Sequence, residues 1–161
     1  MVFAKNERAA GKLSELIQNK DCFIKEYLAV AEGKTEEKGE MNDLLYKSTK
    51  DNKAYIVKKE RKGVKKALSE FWTKETVETE KGSRSLVLVR LYTGRFHQIR
   101  VQFASRKMPL AGDGKYGSKD NGCEVALWSH RIAFEHPFTG EKMDFLSKPE
   151  AAYPWNLFKD F

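Results

Sequence analysis

Three observations predict an α+β fold with a mixed, mostly antiparallel β-sheet flanked by a few helices: strand-like runs are long, helical periodicity is confined to two places, and connections are short and turn-rich. At 161 residues the chain can bury a proper core and is below the size at which a second domain is expected, so residues 1–161 read as one domain.

The chain opens on an apolar run, Met1-Val2-Phe3-Ala4, that looks like a strand entered partway. Asn6 can cap a first helix over Glu7 to about Asn19, in which Ala9, Leu13, Leu16 and Ile17 form the stripe expected to be buried. In Phe23 to Ala31, Lys25, Tyr27 and Ala29 alternate with Glu26, Leu28 and Val30, which places Tyr27 on the strand face opposite Leu28 and Val30. Gly33 to Asp43 is charged and turn-rich and reads as a loop or hairpin excursion. Two further strands are predicted at Ala54 to Lys58 and Ala67 to Val77, with the basic run Lys58, Lys59, Arg61, Lys62, Lys65 and Lys66 at the tip of a hairpin between them. Leu86 to Val89 is continuously apolar and reads as a strand covered on both faces. A second helix follows from about Arg95 to Ser105, with Phe96, Ile99, Phe103 and Ala104 as its stripe and Thr93 near its cap. A closing hairpin turns through His136 to Gly140, and Pro149 and Pro154 punctuate the exit.

The densest chemistry lies in Thr93 to Gly117, TGRFHQIRVQFASRKMPLAGDGKYG. His97 and Arg100, three apart, share a helix face, and Arg95 at the helix start adds positive charge where the dipole is already positive. A phosphate or carboxylate docked there would meet backbone N–H groups, a guanidinium fork and the dipole together. Gly112 to Gly117 formally matches G-x-G-x-x-G. A dinucleotide fingerprint, however, needs a strand before it and a helix after it, and neither flank fits, so the glycines are assigned to a tight turn.

These residues resemble the late motif of the RluA-type family of RNA pseudouridine synthases, a T-G-R-x-H-Q-I/L-R helix followed by a G-D-x-x-Y-G turn. The resemblance extends to KEYLAVAEG at Lys25 to Gly33, to LWSHRIAFEHPFTGEKMDF at Leu127 to Phe145, and to the N-terminal MVFAKNERAAGKLSELI, so that it covers nearly the whole chain. It implies the family's catalytic-domain fold, isomerisation of uridine to pseudouridine in ribosomal or transfer RNA, and no metal or organic cofactor. It also implies that Arg100 is the arginine that pairs with the catalytic aspartate and that Tyr27 is the tyrosine that stacks on a flipped base. Arg95, His97 and Gln98 would contact phosphate or support the site. The family's R-L-D-x-x-T-S-G segment has no counterpart here, and no other aspartate takes its place: Asp113 belongs to the GDGKYG turn, and the rest sit in polar loop or terminal contexts. The expectation is an N-terminally truncated domain, inactive alone, with Arg100 an orphaned partner and a bare sheet edge open to homodimer pairing.

Composition agrees with a nucleic-acid partner. Net charge is +7, ten phenylalanines, six tyrosines and three tryptophans provide large apolar anchors, and Lys65 and Lys66 belong to a basic run that either straddles a phosphate backbone or simply keeps a hairpin tip solvated. Cys22 and Cys123 lack metal-ligand spacing and suit a reducing compartment. With no membrane-spanning run and no signal pattern, a cytoplasmic location is expected. His130 and His136 read as structural. Two other readings remain: a non-catalytic RNA-binding module, and a phosphate-binding metabolic enzyme using the Arg95 to Arg100 segment.

Overall fold

A computed structural model describes residues 2–19 and 22–159. Its elements are α1 (Glu7–Gln18), β1 (Phe23–Glu32), β2 (Lys38–Ser48), β3 (Lys53–Val57), β4 (Val64–Thr79), β5 (Gly82–Leu91), α2 (Gln98–Ser105), β6 (Leu127–Glu135) and β7 (Lys142–Leu146), with short 3-10 turns at Gly114–Tyr116 and Trp155–Leu157. The strands form one seven-stranded sheet ordered β3-β2-β4-β5-β1-β6-β7, and each described pair is antiparallel. The α+β class expected from the sequence is therefore the observed one.

Strand alternation sorts the core onto the two faces. On β1 and β5, Ala29, Ala31, Val87, Val89 and Leu91 point to the face covered by Ile99 and Phe103 of α2. Leu28, Val30 and Leu86 point to the other face, under Ala111, Ala126, Trp155 and Phe158. The apolar run at Leu86 to Val89 is thus covered on both sides, as its lack of alternation predicts. A third cluster joins Leu45, Ala54 and Ala67 to Val101 and Tyr116, tying the β2–β3 end of the sheet to α2 and the Gly114–Tyr116 turn. On the second face, Asp120 binds Arg84, Lys81 and Tyr153, anchoring the C-terminal segment. Burial would raise the Asp120 pKa, but hydrogen bonds from Tyr153, the Gly122 N–H and Lys81 hold it down to about 2.

Several expectations are corrected. Residues 38–43, read as part of a loop or hairpin excursion, are the first half of β2, because Met41 is fully buried against β4 while its polar neighbours Glu40 and Asn42 face outward in register with Glu70 and Leu68. A lone apolar residue among polar ones carries no visible period, and the pairing partner decides its state. Gly39 is required there, since a Cβ would lie 2.6 Å from the Phe71 ring. β3 and β4 are not hairpin partners: β2 lies between them and pairs with both. The basic run over 58–66 is therefore a crossover past the end of β2, packed there by Arg61 over the Tyr46 ring. The helix predicted from Arg95 begins only at Gln98, preceded by His97 in the left-handed conformation (φ 52).

At the N-terminus, Asn6 caps α1 as expected by accepting the Ala9 N–H at 2.9 Å. The stripe is not buried, however: none of the α1 side chains is fully enclosed, and Ile17 is 44% exposed. Residues 2–4 form no strand, and Phe3 is 79% exposed. Amphipathic periodicity shows which side of a helix seeks cover, and nothing within the described residues supplies all of it. The same end of the sheet is open at its edge strand, where Phe145 and Leu146 of β7 are exposed. No helix among the described residues is long and apolar enough to cross a membrane.

Candidate active site

The segment between β5 and α2 is held by side chains rather than by helix. The Thr93 hydroxyl accepts the Leu68 N–H at 2.8 Å and donates to Gln98 Oε1 at 2.8 Å. The same Oε1 accepts the Arg95 N–H at 3.0 Å, and Gln98 Nε2 donates to the Leu68 carbonyl at 3.1 Å. Gln98 is 2% exposed, and both its side-chain oxygen and its nitrogen are engaged in this bracing. The brace carries the chain through the tight turn at His97 and aims the first turn of α2.

That turn presents Arg100 to the loop after Met108. Its Nε and Nη2 each donate to Asp113 at 2.7 Å, a parallel two-bond fork onto a carboxylate with no solvent exposure. Arg100 is therefore not orphaned, contrary to expectation: Asp113, assigned from the sequence only to a turn, neutralises and orients it. The hydrogen bond and charge of Asp113 raise the Arg100 pKa despite burial, so the guanidinium stays charged. Its remaining Nη1 donates to His97 Nε2 at 3.2 Å.

This contact assigns the histidine tautomer. A guanidinium only donates, so Nε2 must be the acceptor and the ring proton must sit on Nδ1. Nδ1 then donates to Tyr116 Oη at 3.0 Å, an oxygen that also accepts the Ala54 N–H from β3 at 2.8 Å. Burial first, and then the neighbouring Arg100 and Lys115 charges, lower the His97 pKa and keep the ring neutral. The chain Asp113–Arg100–His97–Tyr116–Ala54 thereby links the glycine turn, α2 and the sheet edge. Tyr116 was absent from the sequence-derived site. The only signal for it was its place in the G-D-x-x-Y-G run.

Tyr27 lies on the sheet face that α2 covers and packs against the cluster containing Ile99 and Phe103. Burial raises its pKa, opposed by a hydrogen bond with Ser129. On the same strand face, Lys25 has its pKa lowered by burial and then by the charge of Arg95. Tyr27 and Arg100 thus share a face but line no common cavity among the principal ones. The largest, about 800 Å³, lies between α1 and β6–β7 and reflects the loose seating of α1 rather than this chemistry. Arg95 sits in the loop, not on the helix, and donates from Nε to the Lys66 carbonyl at 2.9 Å. Lys65 lines a smaller cavity with Arg95, whereas Lys66 turns to Glu60 at 3.6 Å. His130 and His136 bond local loop groups, Ser147 O and Thr139 respectively.

Comparison with known proteins identifies the family. The profile of the family described as RNA pseudouridylate synthase matches residues 1–105. An uncharacterized RNA pseudouridine synthase of Aquifex aeolicus is 33% identical, with 96% of this chain and 52% of that protein covered. Ribosomal large subunit pseudouridine synthase D of Vibrio vulnificus is 31% identical over 90% of this chain and 47% of its own length. In structure, human RNA pseudouridylate synthase domain containing 1 superposes with a TM-score of 0.74 at 22% identity, covering 92% of this chain and 62% of that one. The chain belongs to the RNA pseudouridylate synthase family, in its RluA-type branch. It spans about half the length of the curated relatives it matches.

Proposed function

We propose that this chain forms the arginine-bearing part of an enzyme that isomerises uridine to pseudouridine in ribosomal RNA. The observation that carries the reading is the Arg100 fork, fixed by Asp113 and His97 and still 18% exposed at its side chain. A guanidinium held this way can orient and keep ionised a second carboxylate, the nucleophile that the reaction requires to break and remake the glycosidic linkage. Tyr27, on the face that α2 covers, supplies an aromatic ring on which an unstacked base can rest. The substrate assignment follows from relatives named as acting on the large ribosomal subunit.

The 161 residues contain no R-L-D-x-x-T-S-G run, so a polypeptide of these residues alone is expected to bind uridine-containing RNA without turning it over. Tritium release from RNA carrying 5-tritiated uridine tests catalysis, and fluorescence anisotropy tests binding. Tyr27→Ala should weaken binding by about 1–3 kcal/mol, the range for losing one base–aromatic stack, while Tyr27→Phe retains most of it. Turnover by the isolated polypeptide would overturn the inactivity, and unchanged affinity in Tyr27→Ala would overturn the stacking role. RNA binding without catalysis is also what a non-enzymatic module would do. Tritium release on supplying a polypeptide that carries the family's aspartate segment would favour the enzyme.

A further inference from the structure

We propose that the groove bounded by Lys47 of β2, Lys65 of β4 and Arg95 binds a phosphodiester of the RNA strand, immediately beside the Arg100 site. The proposal rests on the RNA reading above and adds a subsite to it. The groove has a volume of about 230 Å³, enough for a phosphate with part of its ribose, and its floor is formed by Leu45, Ala54 and Phe96.

Three separate parts of the chain bring a cation to this one cavity. Lys47 lies with Nζ 4.5 Å above the Phe96 ring centroid, an arrangement that holds the ammonium group over the groove instead of letting it sweep through solvent. Arg95 is anchored through Nε to the Lys66 carbonyl, leaving its terminal nitrogens to face a ligand. Lys65 is exposed on the adjoining strand. None of these cations forms an ion pair with a carboxylate among the described residues, although pairs occur elsewhere, Lys66 with Glu60 next door included. Three unpaired like charges around one concavity repel each other, and an anion relieves that repulsion.

The groove is coupled to the site by contact. Phe96 stacks on His97 with ring centroids 3.8 Å apart, and His97 accepts from Arg100. A phosphate seated on Lys47 and Arg95 would therefore be separated from the guanidinium by the stacked Phe96 and His97 rings. The charge of Lys47 reaches His97, and that of Arg95 reaches Lys25 on the face that carries Tyr27. The cationic track thus extends from the groove toward both candidate site residues.

The test measures anisotropy of a labelled single-stranded oligouridylate with the intact chain across a salt series. Comparison is made with Lys47→Gln/Lys65→Gln and with Lys58→Gln/Lys59→Gln, a control pair that removes the same charge outside the groove. Counterion release gives a slope of roughly −0.7 per phosphate contact on a single strand, so losing the one phosphate contact should flatten the slope by about 0.7 and weaken binding about 5-fold near 0.1 M salt. The control pair should lose much less. Inorganic phosphate at millimolar level should compete only weakly, because it offers one anion without the strand. The proposal is overturned if the groove pair binds as the parent does, if both pairs lose equally, or if inorganic phosphate competes as well as RNA. A parent chain that does not bind the oligonucleotide at all overturns the RNA reading itself, and the groove with it.

Discussion

Asp113→Asn probes the central claim that a buried carboxylate holds Arg100 in place. The substitution preserves side-chain shape but replaces one of two acceptor oxygens by an NH2 group, which would face a guanidinium N–H donor at the present 2.7 Å. One charge-assisted bond is lost, another is weakened, and a largely enclosed cation is left uncompensated beside a residue with no solvent exposure. Removing one partner of a buried pair costs about 3–5 kcal/mol. The lower end applies here, because Arg100 retains some contact with water and the introduced amide would keep one acceptor. A loss of about 3 kcal/mol corresponds to a fall in Tm of roughly 6–12 °C for a protein of this length. Urea denaturation of Asp113→Asn, Arg100→Gln and the double variant gives the coupling energy directly. We expect about 2 kcal/mol, within the range for residues in one hydrogen-bonded network. A coupling below about 0.5 kcal/mol, typical of exposed pairs, would refute the argument that this fork is the structural anchor of the site.

The remaining predictions concern the turn and the histidine. Gly112→Ala should cost on the order of 3 kcal/mol or more, since residue 112 has φ +76 and a Cβ would lie 2.2 Å from the Glu124 carbonyl oxygen, whereas Gly114→Ala, with nothing within 4 Å, should be nearly neutral. Paired thermal melts distinguish the two. For His97, the folded pKa lies below its usual value, so the unfolded chain binds the proton more readily and stability must fall as pH drops through about 6.5 and below. His97→Gln should remove that part of the pH dependence between neutral and mildly acidic conditions, and an unchanged slope of Tm against pH would exclude a neutral ring accepting from Arg100.

Much of this protein is written locally. The alternation that puts Tyr27 opposite Leu28 and Val30, the unbroken apolar run of β5, the Asn6 cap and the closing hairpin all depend on neighbours a few residues away, and all are found in the structure. The TGRFHQIR and GDGKYG runs likewise mark the site without coordinates, because residue types and spacing are enough to carry the family resemblance. What the sequence could not decide is pairing across distance. β2 is a strand because β4 lies against Met41, and β3 joins the sheet through β2, so a predicted hairpin becomes a crossover. Arg100 finds its counter-charge in Asp113, thirteen residues on, in a loop that no helical period reveals, and Lys47 reaches the groove from a separate strand. Local sequence sets what each segment can become. Only packing can select which carboxylate meets which guanidinium, since that choice is made by burial and hydrogen-bond satisfaction among groups far apart in the chain.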